Sequence, residues 1–447
     1  MDTLSQKLPS ADLSIMQSSG GIMSPEQASN EPVRIVLSGP AGGVVGATKV
    51  AKLAGHEKIL SYDMGGTSTD VALCEGGPKF TTETLIDGIP IKIPMIDITT
   101  IGAGGGSIAR IDAGGALKVG PESAGADPGP ACYGRGSEPT VTDANIVLGR
   151  IKPESFLGGR MKIFPQKSKS SLGKLARRLK LSLEEVAEGI IRVANANMER
   201  ALRVISIGKG YDPREFALLS FGGAGGLHAC ELAQSMEIKT IIFPKDPGVL
   251  SALGMLTADT FKDFSLTIFL SQAEAESKVL DEAFSSLEVR AHKDFPTHKI
   301  KFKRFLDVRY KRQSHEITVA YNKNFISTFH KEHKKMYGYS KTKSEVEIIT
   351  LRLRAIAKKR ELEIPYIQNN RININSSKEK IVFGGKNISV KVFYRKYFYS
   401  GYKFEGPALV LEETSTILIP PSYKCHVDDW GNIISVLKSF KGNGILN

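Results

Sequence analysis

The stretch Ser61–Glu75, SYDMGGTSTDVALCE, combines two acidic residues, two glycines and three hydroxyl side chains between Asp63 and Asp70. Apolar residues flank this polar segment on both sides. KILSYD predicts a buried strand, GGTST a turn, and VALCE a second strand. The stretch therefore predicts a β-hairpin with a polar, glycine-containing tip.

Small residues at such a tip can bind an anion. Gly65 and Gly66 let backbone N–H groups approach it without obstruction from a Cβ atom. Further donors come from three hydroxyl side chains, those of Thr67, Ser68 and Thr69. A carboxylate would repel phosphate, but a divalent cation between Asp63 and the phosphate oxygens removes the conflict, and Mg²⁺ often binds in this way. The residues predict a metal–phosphate clamp, the alternative being a tight turn capped by its own aspartate.

Length and composition indicate a globular protein of two or three domains. The chain has 447 residues, of which 41% are apolar and 24% charged, enough for more than one core. The net charge of +13 is spread along the chain, and Trp430 is the only tryptophan. Because no basic surface interleaved with aromatic residues is visible, we expect no nucleic-acid binding.

The cysteines and the hydropathy pattern indicate a cytoplasmic protein. The four cysteines form no CxxC pair, which argues against structural zinc and a disulfide framework. No run of 18 apolar residues and no signal-peptide segment is present, so no membrane contact is expected.

The remaining pattern predicts an α/β protein with a β-rich C-terminal region. A long amphipathic helix is expected from Ser182 to Ile207, and the segment from Phe216 to Pro244 reads as a βαβ unit. Glycines thin out after about residue 265 and β-patterned stretches follow. We predict three domains, comprising residues 1–265, 266–365 and 366–447.

Two further glycine loops fit no common nucleotide pattern. GAGGGS has Ser107 and GGAGGLHA has His228 where GxGxxG requires glycine, and no GxxxxGK[ST] occurs. Nevertheless, SFGGAGGLHA lies between a predicted strand and helix, where backbone N–H groups can hold a nucleotide. Close packing of helix on strand is the structural alternative.

Two loops separated by a long helix suggest the actin/sugar-kinase/Hsp70 type of ATPase fold, in partial form. Seven stretches, in order, resemble the hydantoinase A/oxoprolinase family over nearly the whole chain: LSGPAGGVVGA, SYDMGGTSTDVAL, TTIGAGGGSIARID, ADPGPACYGRGSEPTVTDANIVLGR, VANANMERALR, SFGGAGGLHA and GPALVLEETSTILIPP. The resemblance implies ATP-dependent opening of a cyclic amide, in which ATP phosphorylates the substrate carbonyl. Such transfer depends on positioning and charge neutralisation.

The resemblance also implies roles for individual residues. Asp63 would bind Mg²⁺, and Asp70 would orient metal-bound water or substrate. The phosphates would be held at the hairpin by Asp63, Gly65, Gly66, Thr67 and Thr69. Adenosine would be held by Gly222, Gly223, Gly225 and Gly226. Asp143 and the loop from Gly104 to Ser107 would border the cleft.

Several residues have two interpretations. Asp143 could instead be the N-cap of the helix ANIVLGR. His228 could contact nucleotide or pack against the glycine loop. Cys132 is expected to be a small buried residue rather than a nucleophile. His330 and His333 are expected on a solvated helix face.

Family members usually begin with an additional hairpin of the DxGGTxTD type, whereas this chain carries one such hairpin. The expected partners are therefore a separate polypeptide with the first lobe, a hydantoinase B-type subunit and a small cyclic amide. Two alternatives remain open. One is a carboxylase subunit of the acetone carboxylase kind, and the other is a catalytically silent assembly subunit.

Overall fold

The computed structural model describes residue 7 and the ranges 13–81, 84–86, 88–91, 93–295, 299–357, 362–367 and 373–438. Within these ranges the α-helices are α1 (Pro25–Asn30), α2 (Ser38–Leu53), α3 (Val141–Val147), α4 (Pro165–Leu179), α5 (Leu183–Ile205), α6 (Ala229–Ser235), α7 (Leu250–Thr257), α8 (Ser277–Asp294) and α9 (Phe325–Tyr337).

The strands of the first half are β1 (Ile15–Met16), β2 (Ile22–Met23), β3 (Lys58–Met64), β4 (Thr69–Glu75), β5 (Phe80–Thr81), β6 (Thr84–Ile86), β7 (Ile89–Ile91), β8 (Met95–Ile96), β9 (Ile98–Ile101), β10 (Ser107–Ile111), β11 (Leu117–Ser123), β12 (Ala217–Phe221) and β13 (Thr240–Phe243). Those of the second half are β14 (Thr260–Ser271), β15 (Ile300–Tyr310), β16 (Ile317–Ala320), β17 (Val346–Ala357), β18 (Ser377–Phe383), β19 (Lys386–Tyr394), β20 (Lys403–Glu405), β21 (Ala408–Leu411), β22 (Thr416–Ile419), β23 (Tyr423–Val427) and β24 (Ile433–Leu437).

The predicted hairpin is confirmed. β3 and β4 pair antiparallel, with Asp63 opposite Asp70 and Met64 opposite Thr69, and residues 65–68 form the tip. Both strands are almost entirely buried along their length, as their apolar composition requires.

The hairpin belongs to an eight-stranded sheet with the order β20–β23–β24–β13–β12–β3–β4–β9. β3, β12 and β13 are parallel neighbours, and the chain passes from β12 to β13 through α6, which confirms the predicted βαβ unit. Because parallel strands end at the same edge of a sheet, the tip after β3 and the glycine loop after β12 meet there.

Helices cover both faces of this sheet. On one face, α5 packs on the hairpin, and the Tyr62 hydroxyl donates to Met198 Sδ at 3.0 Å. On the other face, α2 packs on β3, β4 and β12. α7 crosses α2 at close range. A Cβ atom at Gly254 in α7 would lie only 1.8 Å from the Gly42 carbonyl oxygen in α2. The hairpin is thus held rigidly from both sides.

Strands from the three predicted regions share sheets. A six-stranded sheet, covered by α8 and α9, has the strand order β1–β2–β14–β17–β15–β16. β14 itself crosses the predicted boundary at residue 265. β20, β23 and β24 from the last region join the eight-stranded sheet beside β13. The mixed α/β class is confirmed, whereas the three domains and the actin-like ATPase fold stay predictions.

The solvated environment predicted for His333 is wrong. Its side chain is buried between the rings of Tyr310 and Phe329, and its Nδ1 lies 2.8 Å from the Tyr339 carbonyl oxygen. The cause is the position of Tyr310, which directs an aromatic ring from β15 toward this face of α9.

Candidate functional site

The hairpin tip presents free backbone amides at the protein surface. Gly66 and Thr67 are exposed, and within the described residues the N–H groups of Gly66, Thr67 and Ser68 have no acceptor. The Gly65 N–H differs, because it donates to the Ser68 carbonyl oxygen at 3.0 Å and closes the turn. Successive free amides in a turn are a suitable site for an anion.

Asp63 and Asp70 face each other at the base of the tip, where they occupy paired positions of the two strands. Burial, and to a smaller extent the charge of Asp70, raises the pKa of the Asp63 carboxyl to about 7. Burial also raises the pKa of Asp70, against the opposing effect of a hydrogen bond from Thr100. In the described part of the chain no donor or cation compensates Asp63. A bound cation would do so.

The second glycine loop lies directly against the hairpin. The Ala224 N–H donates to the Met64 carbonyl oxygen at 3.0 Å. Gly222 has a φ of +79°, and a Cβ atom there would lie 2.4 Å from both Asp63 Oδ1 and the Met64 carbonyl oxygen. Only glycine fits this position, so the predicted phosphate and adenosine segments are brought into contact.

The loop Gly104–Ser107 supports the other side of the tip. Gly105 and Gly106 donate to the carbonyl oxygens of Gly65 and Gly66 at 3.0 and 2.6 Å. The Thr69 hydroxyl donates to the Ala103 carbonyl oxygen at 2.5 Å, and Thr69 is wholly buried. The Thr69 hydroxyl therefore holds this loop in place. It is not available to bind phosphate, contrary to the prediction.

Asp143 is a structural residue in this geometry. Its carboxylate accepts hydrogen bonds from the N–H groups of Ala131 and Cys132 at 3.0 and 2.8 Å, from the Ser168 hydroxyl at 2.6 Å, and from the N–H and hydroxyl of Thr140 at 3.1 and 2.7 Å. The N-cap of α3 is Thr140, so the alternative interpretation of Asp143 as the N-cap is wrong, and the two residues form a capping box. Asp143 is fully buried and does not line the cleft.

A cavity of about 160 Å³ opens where these loops meet. Its lining includes Gly65, Gly66, Gly105 and Gly223 from the predicted segments. Sequence reasoning missed the rest of the lining, notably Thr142, Asn145, Thr414, Ser415 and Thr416. A signal was present, because these residues lie within TVTDAN and EETST, two of the stretches that carry the family resemblance.

A larger cavity of about 1030 Å³ shares Ser155 with the first and is lined by Tyr394, Arg395 and Tyr397. It does not touch the hairpin tip. The smaller cavity is lined by Gly65 and Gly66 of the tip that is predicted to bind phosphate, and it is therefore the candidate site.

His228 and Cys132 are both buried. His228 packs beside the glycine loop with its Nδ1 2.7 Å from Asn195 Oδ1, and burial, aided by the charge of Arg150, lowers its pKa to about 3. Burial raises the pKa of the Cys132 thiol, so a thiolate nucleophile is disfavoured.

The residues at the tip suit magnesium held jointly with phosphate. The described residues contain no group of three or more His, Cys, Asp or Glu side chains able to hold a metal on its own. A half-buried carboxylate without a compensating partner, beside free amides, suits a Mg²⁺–phosphate pair, since Mg²⁺ takes few protein ligands there.

The sequence matches the hydantoinase/oxoprolinase family model over residues 1–264. The chain belongs to the hydantoinase/oxoprolinase family. Within this family it is 33% identical to caprolactamase subunit alpha of Pseudomonas jessenii, covering 92% of this chain and 63% of that protein. It is also 33% identical to the 5-oxoprolinase of Saccharomyces cerevisiae, covering 93% of this chain and 35% of that enzyme. The chain thus spans less than two thirds of these curated relatives.

Two solved structures resemble this family member. The ATP-dependent caprolactamase of Pseudomonas jessenii superposes with a TM-score of 0.88 at 31% identity, over 98% of this chain and 67% of that one. A nucleotide-free acetone carboxylase structure gives a TM-score of 0.75 at 23% identity, over 95% of this chain and 64% of that one. The second likeness concerns the fold alone.

Among the described helices, none is both long and apolar enough to cross a bilayer.

Proposed function

We propose that this chain is the nucleotide-binding part of an ATP-dependent hydrolase that opens a cyclic amide. The observation that carries the proposal is the hairpin tip, where free amides adjoin the uncompensated Asp63 carboxylate. Membership of a family that includes an ATP-dependent caprolactamase and 5-oxoprolinases supports it.

In this proposal the N–H groups of Gly66, Thr67 and Ser68 bind the β- and γ-phosphates, aided by the hydroxyls of Thr67 and Ser68. Asp63 would hold Mg²⁺, which would supply positive charge against that of the phosphates. Asp70, steadied by Thr100, orients substrate or water. Gly222, Gly223, Gly225 and Gly226 approach the nucleoside.

The γ-phosphoryl group would pass to the carbonyl oxygen of the amide and give ADP. Water would then add to the activated carbon, and the C–N bond would break to give an acyl phosphate and a free amine. A second water would hydrolyse the acyl phosphate to the carboxylate and inorganic phosphate, so the sum is one ATP and two waters consumed for each ring opened. No side chain of this chain needs to be a covalent nucleophile, consistent with the buried Cys132.

The proposal includes two further components. The relative named caprolactamase subunit alpha supports a partner subunit, here of the hydantoinase B type. A lobe with a second phosphate hairpin, from outside these residues, would close the nucleotide site, because two hairpins facing one triphosphate fix it from both sides.

The test is ATP turnover by the chain with its partner subunit and the lobe that carries the second hairpin, with caprolactam and 5-oxoproline as substrates. We expect amide-dependent phosphate release, and a loss of about 100-fold in Asp63→Ala. Unchanged turnover in Asp63→Ala would contradict the assigned site. A requirement for bicarbonate would instead indicate the carboxylase alternative, which the acetone carboxylase fold supports only weakly.

A further inference from the structure

One buried polar atom at the candidate site lacks a partner. Asn145 is 1% exposed, and its Oδ1 has no hydrogen-bond donor within the described residues. Buried acceptors are nearly always paired, so an orphan in a cavity wall indicates a ligand that supplies the missing donor.

The orientation of this amide is set by its own helix. Asn145 Nδ2 donates to the Val141 carbonyl oxygen at 3.2 Å. A carbonyl oxygen can only accept, so reversing the amide would oppose two acceptors. The Oδ1 atom is therefore the group that remains for a ligand.

The cavity lining combines glycines and hydroxyl side chains with apolar side chains. Near the hairpin, Thr142 donates its hydroxyl to the Gly105 carbonyl oxygen at 2.8 Å. Asn145 lies one helical turn further along α3, and the cavity lining continues with Ile151, Phe156 and Leu227. Glycines and hydroxyls suit phosphates, whereas these apolar side chains beside the Asn145 acceptor suit a flat heterocycle that carries an amino group.

We propose that Asn145 is the residue that selects adenine, with Oδ1 accepting a hydrogen bond from the exocyclic 6-amino group. This rests on the proposed function, which puts ATP in this cleft. Guanine would direct its 6-oxo group at the same acceptor and be rejected. The residue acts on nucleotide choice and not on the transfer step.

The experiment measures binding of magnesium complexes of two nucleotides to the full chain by calorimetry. One is ATP, and the other is purine riboside triphosphate, which lacks only the 6-amino group. The wild type should bind ATP about tenfold more tightly, the discrimination typical of one buried hydrogen bond. In Asn145→Leu this preference should disappear through weaker ATP binding, with purine riboside triphosphate bound as before.

Asn197→Leu is the matched control, since Asn197 also donates its amide to a carbonyl oxygen, that of Val119 at 3.2 Å, but does not line the cavity. The control should keep the preference. Equal wild-type affinity for both nucleotides would overturn the inference while leaving the proposed function intact, as would an equal loss of both in Asn145→Leu. Failure to bind either nucleotide would overturn both proposals.

Discussion

Asp63 is an acidic residue in surroundings that disfavour its charged form. Its carboxyl has a pKa of about 7 because of burial and the neighbouring Asp70, whereas the unfolded chain would show an ordinary value near 4. Between these values the folded state holds a proton that the unfolded state releases. The free energy of unfolding therefore falls as pH rises from about 4 to about 7.

Asp63→Asn removes this titration and should stabilise the protein at high pH. Relative to the wild type, the gain in free energy of unfolding should be about 2 kcal/mol larger at pH 8 than at pH 5. Denaturant unfolding at the two pH values checks this without added nucleotide or metal. The same variant should lose ATP turnover.

A matched control is Asp212→Asn, at an exposed aspartate whose pKa is lowered by its hydrogen bonds and contact with Arg214. Asp212→Asn should lower the free energy of unfolding rather than raise it, and any such loss should appear at the higher pH. If Asp63→Asn were destabilising at pH 8, the carboxylate would have a partner and the electrostatic basis of the site would be wrong.

At the scale of elements, the junction between the hairpin and the glycine loop depends on Gly222. Alanine there meets both a positive φ and atoms at 2.4 Å. Gly55 provides the comparison, because its φ is +80° but no atom lies within 4 Å of its would-be Cβ. The pair separates backbone strain from steric exclusion.

We expect Gly55→Ala to lower the free energy of unfolding by about 1 kcal/mol and to leave nucleotide binding unchanged. Gly222→Ala should cost more, about 3 kcal/mol, and should weaken nucleotide binding at temperatures where the variant is folded. Thermal unfolding and calorimetry check both effects. Similar behaviour of the two variants would show that the junction is not tight.

Elements set by local pattern could be predicted from the sequence. The apolar stretches on both sides of the polar turn after Asp63 predicted the hairpin, and the strand–glycine–helix pattern near Gly222 predicted the βαβ unit. Thr69 could not be assigned correctly, because its acceptor Ala103 lies 34 residues away. Thr414 and Asn145 lie in stretches that carry the family resemblance, but their place in the site could not be predicted, because they meet only across the cavity.

At the scale of the whole molecule, the last strands complete the central sheet. β24 pairs with β13 from Thr240 to Phe243, and Arg395 donates to the carbonyl oxygens of Phe243 and Gly431 at 2.8 Å each. Such pairing over nearly 200 residues leaves no trace in local periodicity. The predicted boundary at residue 366 rested on composition alone.

Truncation after residue 365 tests whether the last region is separable. It would expose the edge of β13 and the core beneath Tyr423 and Ile433. We expect a chain that lacks a cooperative thermal transition and aggregates. A soluble truncated chain with a cooperative transition close to that of the full chain would instead support an independent third domain.

The central claim is that the hairpin tip binds the phosphates of a magnesium nucleotide. The most direct test is a crystal structure of the chain with Mg²⁺ and a non-hydrolysable ATP analogue. We expect phosphate oxygens at hydrogen-bonding distance from the N–H groups of Gly66 and Thr67, with the metal next to Asp63. A nucleotide bound elsewhere, with water at the tip, would contradict it.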